Sequence, residues 1–407
     1  MITPQDVSAA RKRLGAQLAG LRCAAGHNQS ALATKVTTSR SSDANIECGL
    51  QFGTRDFWQR CDDALAADGA LVRGYDQCCH LEARRRRQEA ESAVAVPTVA
   101  ETTPVHVDPE LALHWLRMLT VLTGSHNLFG PRQIHDAVCR ESAIIRRYRQ
   151  DAHGEIKTAL FAVEARWAEF ASWTGDNAGD RQGAAHWLER GLALARHAGD
   201  RGLVAYALMR QAQQAADRLD GGRAAALAGS AGSAAALTDR DRALCAVRQA
   251  QGHALAGNRT AAGTAIKTAY QLVARADEAA QDDDPATIGR HCVRGYVQAH
   301  EAYCELRLGH AASSALLMEA TLGGWPSDYR QDESLFRAWL ALAYAVDNRP
   351  DEAAAEGARA LTLACSSWSA RTLRALAQLD TRLAPHTGLA EASRFRTSYS
   401  LLAATRM

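Results

Sequence analysis

Between Asn28 and Tyr75 the chain is punctuated so closely that only short helices fit: NQSALATKVTTSRSSDANIECGLQFGTRDFWQRCDDALAADGALVRGY. Upstream, Leu14, Leu18 and Leu21 recur at i, i+4 and i+7, which gives a first helix an apolar stripe, and Gly26 supplies its end. Asn28 is an N-cap for a second helix over Gln29 to Val36, with Leu32 and Val36 inward. Thr37 and Thr38 make a turn. Ser39 then caps a third helix running to Glu47, and Gly49 stops it. Thr54 caps a fourth helix with Phe57, Trp58, Cys61 and Leu65 on its apolar face. Asp68-Gly69 breaks that helix, and Ala70 to Cys79 make a fifth with Leu71 and Tyr75 inward.

Two short helices joined by a tight turn form a helix-turn-helix unit, whose second helix enters the DNA major groove. On that geometry Arg40, Ser41, Ser42 and Asn45 occupy the N-terminal and outer part of the reading helix. Arginine can grip guanine bidentately, asparagine can do the same for adenine, and serine is less selective. Gln29 opens the preceding helix, where side chain and backbone N–H groups can reach a phosphate. Arg11, Lys12, Arg13, Arg22 and Lys35 are further candidates for phosphate contacts.

Residues 11–79 resemble the Xre/Cro-C1-type DNA-binding domains. The phrases ArgAspPheTrpGlnArgCysAsp and GlyAlaLeuValArgGlyTyrAsp narrow the resemblance to regulators from GC-rich Gram-positive bacteria, a source that 43 arginines against 4 lysines also suits. The resemblance implies a five-helix head that binds a double-stranded operator as a homodimer. It also implies a long helical, often tetratricopeptide-like region behind it, with a short peptide as a candidate signal in its groove. Asp43 departs from the pattern, since the family usually places Ile or Val there, pointing into the core. A buried, unpaired carboxylate costs several kcal/mol, so Asp43 must pair with a cation such as Arg22 or Arg40, or the helix must rotate or loosen.

The expected fold class is all-α. A head at 1–80 is followed by a linker at 81–109, basic at Arg84 to Arg87 and then extended through ESAVAVPTVAETTPVHVDP, and by an α-solenoid at 110–407. In that last region a turn residue is followed by small residues at +5 and +12 and usually an apolar or small one at +15. The sets are Gly257/Ala262/Ala269/Leu272 and Asn348/Ala353/Ala360/Leu363, with weaker copies at Gly179/Ala184/Gly191/Leu194, Gly221/Ala226/Ser233/Ala236 and Gly309/Ser314/Thr321/Gly324. Recurrence on this scale indicates stacked helical hairpins. Trp115, Trp167, Trp173, Trp187, Trp339 and Trp368 read as core packing. A helix over 286–308 places Arg290, Arg294 and Gln298 on one face.

The remaining features limit the function classes. Net charge is +2, split as +3 over residues 1–90 and −1 over the rest, so charge placement rather than bulk charge must serve DNA binding. Ten cysteines lack CxxC spacing, and His300/Cys304 has no third or fourth ligand in view, so metal and cofactor are expected to be none. No apolar run approaches the ~20 residues of a membrane span, and the start lacks a secretory apolar core, which points to a cytoplasmic protein without a membrane partner. No phosphate-loop, HExxH, GxSxG or GxGxxG motif is present, so no catalytic residue is expected. Two readings stand: a sequence-specific regulator whose array senses a ligand or dimerises, and an interaction scaffold whose head no longer binds DNA because of Asp43.

Overall fold

The computed structural model describes residues 3–38, 40–92, 108, 110–234, 237–278, 288–327, 329–367 and 369–406. Some side chains within these helices, among them Arg40, Ser41, Asp43 and those of 86–92, lie outside the described residues. All regular structure among the described residues is helical, and the chain divides into two compact units with the boundary between Thr102 and Thr103.

The first unit contains α1 (Pro4–Ala24), α2 (Gln29–Lys35), α3 (Arg40–Glu47), α4 (Arg55–Leu65) and α5 (Ala70–Ser92). Leu14, Leu18, Leu32, Val36, Ile46, Trp58, Cys61 and Leu71 make its core, as the apolar stripes require. The caps also fall where the sequence puts them, with Asn28 accepting from Ala31 N at 2.8 Å and Thr54 accepting from Phe57 N. One helix starts well before its apolar stripe, and another is longer than expected. α1 begins at Pro4, where Thr3 and Asp6 form a reciprocal capping box. α5 continues past Cys79 to Ser92, because the chain from Tyr75 to Ser92 has no Gly or Pro and is rich in Arg, Glu, Gln and Ala. Arg84 to Arg87 therefore sit on a helix. Residues 93–107 and 109 lie outside the described residues.

The second unit opens with α6 (Glu110–Phe129) and α7 (Pro131–Asp151), then repeats a hairpin. The hairpins are α8 (Gly154–Asn177) with α9 (Arg181–Ala198), α10 (Arg201–Asp217) with α11 (Gly221–Gly232), and α12 (Asp239–Leu255) with α13 (Arg259–Glu278). After these come α14 (Arg294–Arg307) with α15 (Ala311–Leu322) and α16 (Arg330–Val346) with α17 (Pro350–Ser367), and α18 (Ala370–Leu383) and α19 (Ala390–Arg406) close the unit. The expected helix over 286–308 is shorter: Ile288–His291 form a 3-10 turn, and α14 starts at Arg294. The side chain of Arg290, the acidic stretch at 281–285, and Trp368 lie outside the described residues. Trp115, Trp167 and Trp339 are buried, and Trp173 and Trp187 pack partly buried against the core.

The structure explains the repeat. Each hairpin turns on a residue with positive φ: Gly179 (+95°), Leu219 (+63°), Gly257 (+74°), Gly309 (+90°) and Asn348 (+59°). The residue five positions on is buried every time (Ala184, Ala224, Ala262, Ser314, Ala353), and so is the one twelve on (Gly191, Ala231, Ala269, Thr321, Ala360). Small side chains at these points let the two helices of a hairpin approach closely. The copy placed at Gly221 is thus shifted by two residues: Ala226 and Ser233 are exposed, and the turn is made by Leu219. The +15 position is not part of the rule, since Gly324 is exposed and Leu363 only half-buried, while Ala236 lies outside the described residues.

Leu219 is a non-glycine residue in the left-handed region with its side chain 58% exposed, so it has strain without burial to offset it. Leu219→Gly is expected to raise the unfolding free energy of the array by roughly 0.5–1 kcal/mol, after the extra chain entropy of glycine is discounted. Urea titration of the two proteins checks this.

Helices α8, α10, α12, α14, α16 and α18 stack in turn as an inner layer. The layer curls until its ends meet. Asn177 on α8 donates to Gln331 on α16 at 3.3 Å, Gln331 reaches His126 on α6 at 3.4 Å, and Arg371 on α18 pairs with Asp217 on α10 at 3.1 Å.

Candidate nucleic-acid interface

The helix-turn-helix is built by local bonds. Thr38 N donates to Ala33 O at 2.9 Å, and Thr37 takes φ +53°, turning the chain from α2 into α3. After α3, Leu50 N donates to Asn45 O at 2.8 Å and Gly49 takes φ +70°, which ends the helix. Ile46, buried on α3, ties it to the apolar core. Gly15 lets α1 cross directly against the end of α3, because a Cβ there would lie 2.4 Å from Ile46 O and 2.5 Å from Glu47 O.

Glu47 fixes the orientation of α3. Its carboxylate receives Arg22 Nε at 2.5 Å and Nη2 at 2.9 Å from α1, and Gln29 Nε2 at 2.8 Å from α2. Arg22 also donates through Nη1 to His27 O at 2.8 Å. Burial opposes ionisation of Glu47, but the hydrogen bonds from Arg22 and Gln29 outweigh it and hold its carboxyl below the usual range. One carboxylate thus joins three helices.

The sequence-derived candidates divide accordingly. Asn45 is exposed and Ser42 half-buried on α3, while the side chains of Arg40 and Ser41, also on α3, lie outside the described residues. Gln29 stands at the first position of α2 as expected, but its amide is held by Glu47. Arg22 is part of the same internal bond. Arg11 pairs with Glu82 and lies over the Phe52 ring at 4.6 Å, so it too is engaged within the head. Lys12, Arg13 and Lys35 remain exposed. The Asp43 side chain lies outside the described residues. Glu47 was missed by sequence reasoning; the available signal was its place directly after Ile46, the inward apolar residue of an otherwise polar helix.

The two sequence phrases that narrow the resemblance serve packing. Asp62 is buried and accepts from Val72 N at 2.7 Å, capping the start of α5, and Trp58 is 1% exposed. A Cβ at Gly74 would lie 2.5 Å from Leu14 Cδ1, so α5 rests directly on α1 there. Tyr75 stacks on Phe52 with ring centroids 5.1 Å apart.

Among the described residues no three His, Cys, Asp or Glu side chains gather as a metal-holding group, and no helix is long and apolar enough to cross a membrane. His300 gives its ring nitrogens to Arg248 and to Tyr296 O.

No curated protein matches the chain. Among solved structures it is similar to PlcR of Bacillus thuringiensis, determined in complex with the peptide PapR7 and DNA. The likeness has 12% identity and a TM-score of 0.25, and covers 97% of this chain and 98% of that one. Residues 13–73 match the family described as Helix-turn-helix domain, and they span the five head helices from within α1 to the first turn of α5. Within the N-terminal unit, residues 13–73 are thus similar to a helix-turn-helix domain.

Proposed function

We propose that the chain is a sequence-specific DNA-binding transcriptional regulator. It docks α3 in the major groove of a double-stranded operator and binds as a homodimer to a two-fold site. Arg40, Ser41, Ser42 and Asn45 read bases, and Gln29, at the start of α2, stands where a phosphate is met. Lys12, Arg13 and Lys35 add phosphate attraction. The helical array dimerises the protein or receives a signal, with a short peptide as the leading ligand class.

One observation carries this reading above the others. The Glu47 bonds anchor α3 to α1 and α2 at its C-terminal end, while Asn45 on the same helix is left exposed. A helix fixed on one side and polar on the other is what base reading requires.

Retention of genomic DNA fragments by the purified full chain tests it. Binding is expected to weaken steeply as salt rises, because phosphate contacts release counterions. Salt-insensitive or absent retention would argue for the scaffold reading. Arg40→Ala is expected to lower discrimination by ~1–3 kcal/mol at one base position. Unchanged selectivity in that variant would show that the reading face is placed wrongly.

A further inference from the structure

A groove of about 580 Å³ opens between α13 and α14, a size that suits a ligand. These two helices touch less than any other pair that joins successive hairpins. The lining comes from the N-terminal half of α13 and the C-terminal half of α14, so the helices run antiparallel along it. Ala262, Ile266 and Cys304 are buried beneath it, and Leu308 packs on them, which gives the groove an apolar floor. Gly263 lies on the α13 wall. A Cβ there would meet open space, so nothing within the chain requires a glycine in the middle of this helix, which it weakens. A second backbone laid in the groove does require it, because only glycine allows so close an approach.

The charges are sorted along the groove. Tyr270 donates its hydroxyl to Glu301 Oε2 at 2.6 Å, which sets the two helices level there. His310 Nδ1 lies 2.7 Å from Glu305 Oε2. No described residue bonds the Oε1 atom of either glutamate, and the two residues sit one helical turn apart on the α14 wall. Arg259 lies at the opposite end on α13, exposed, and forms no hydrogen bond or ion pair with a described residue. Lys267 stands between, nearly level with Glu305, and is likewise exposed and unpaired among the described residues, so no ion pair closes the groove there. Arg294 covers the Tyr270 ring at 5.2 Å and is not part of the lining.

We infer that this groove binds a short extended peptide, with its N-terminal ammonium at Glu301 and Glu305 and its C-terminal carboxylate at Arg259. An ammonium has three donors and can bridge both Oε1 atoms, while the guanidinium fork matches a carboxylate. Lys267 and Tyr270, which mark the anionic end on α13, stand about 12–16 Å along the helix from Arg259. Four or five residues of extended chain cover that distance at about 3.3 Å each. Between the ends one apolar side chain meets Ile266, Cys304 and Leu308, and the peptide backbone passes Gly263. The site rests on the proposed sensing role of the array, to which it gives a location and a direction for the ligand.

The test uses the full chain and the pentapeptide Ala-Ala-Leu-Ala-Ala at constant ionic strength, in four forms: both ends free, N-acetylated, C-amidated, and blocked at both ends. Titration calorimetry is expected to show saturable binding of the free form, with each single block weakening it about fivefold and the double block weakening it further. Gly263→Leu fills the groove from a position with open space around it and is expected to abolish binding, with an unfolding temperature equal to or above that of the native chain. Arg259→Gln is expected to weaken the two forms with a free carboxylate about fivefold and to leave the two amidated forms unchanged. Arg259 is exposed, so this variant decides the matter should Gly263→Leu not fold. No binding of the free form, equal binding of all four, binding that survives Gly263→Leu, or an equal loss for acid and amide in Arg259→Gln would each overturn the site. Retention of genomic DNA by the same native protein separates the two claims. DNA retained without a peptide response removes this site and leaves the regulator; the converse removes the regulator and leaves the site.

Discussion

Arg22→Ala is expected to cost the head about 3–5 kcal/mol, because it leaves the Glu47 carboxylate buried without its cation. A domain of this size holds ~5–15 kcal/mol in total, so the variant should be largely unfolded at modest urea. Arg22 and Glu47 side chains are only 11% and 6% exposed, which places the pair beyond effective solvent screening. Replacing both residues with apolar ones of similar volume should recover most of the loss, since the cost lies in the stranded charge. pH adds a second signature. Glu47 has a folded pKa below its ordinary 4.5, so the unfolded state binds the proton more readily. Its contribution is complete above about 4.5 and lost as pH falls through the lower folded value. In Arg22→Ala burial acts with less opposition, and this acid-side loss should shrink or reverse. Hydrogen exchange resolved over residues 3–92 as a function of pH measures both effects.

Gly252→Ala should damage the array as severely as any single methyl can. A Cβ at Gly252 on α12 would lie 2.4 Å from Ala225 N and 2.7 Å from Gly221 O on α11. Gly221 faces it reciprocally, with a Cβ position 2.6 Å from Gly252 O. Backbone meets backbone here, so no flexible side chain can give way, and the two helices must part. Overpacking of this kind costs about 1–3 kcal/mol or more. The neighbouring glycine at 263 has open space around its Cβ position. Gly263→Ala therefore serves as the control and should be neutral or slightly stabilising through helix propensity. Urea unfolding of the two variants reads the contrast.

Much of the head was legible because its helices are short and each end is marked by a residue with a local reason to be there. Asn28, Thr54, Gly26 and Gly49 act through their own backbone or nearest neighbours, and such effects survive without tertiary knowledge. The Glu47 link was hidden because it joins residues far apart in sequence, and a charged residue is first taken to face water. Arg11 and Arg22 misled for the same reason: their type suggests phosphate, but their partners are internal. In the array, glycine marked the turns at Gly179, Gly257 and Gly309 but not at Leu219, where the chain adopts a glycine-like conformation without glycine. The small residues at +5 and +12 were visible as a period. The arginines and carboxylates of the inner face follow no period and emerge only when α8 and α10 meet α16 and α18.

Sequencing the genomic fragments retained by the full-length protein, beside those retained by an Asp43→Val variant, addresses the central proposal directly. The native chain is expected to enrich one roughly palindromic motif, with Arg40→Ala altering the preference at one position in each half-site. Weak retention without a motif in the native chain, together with a specific motif gained by Asp43→Val, would contradict it.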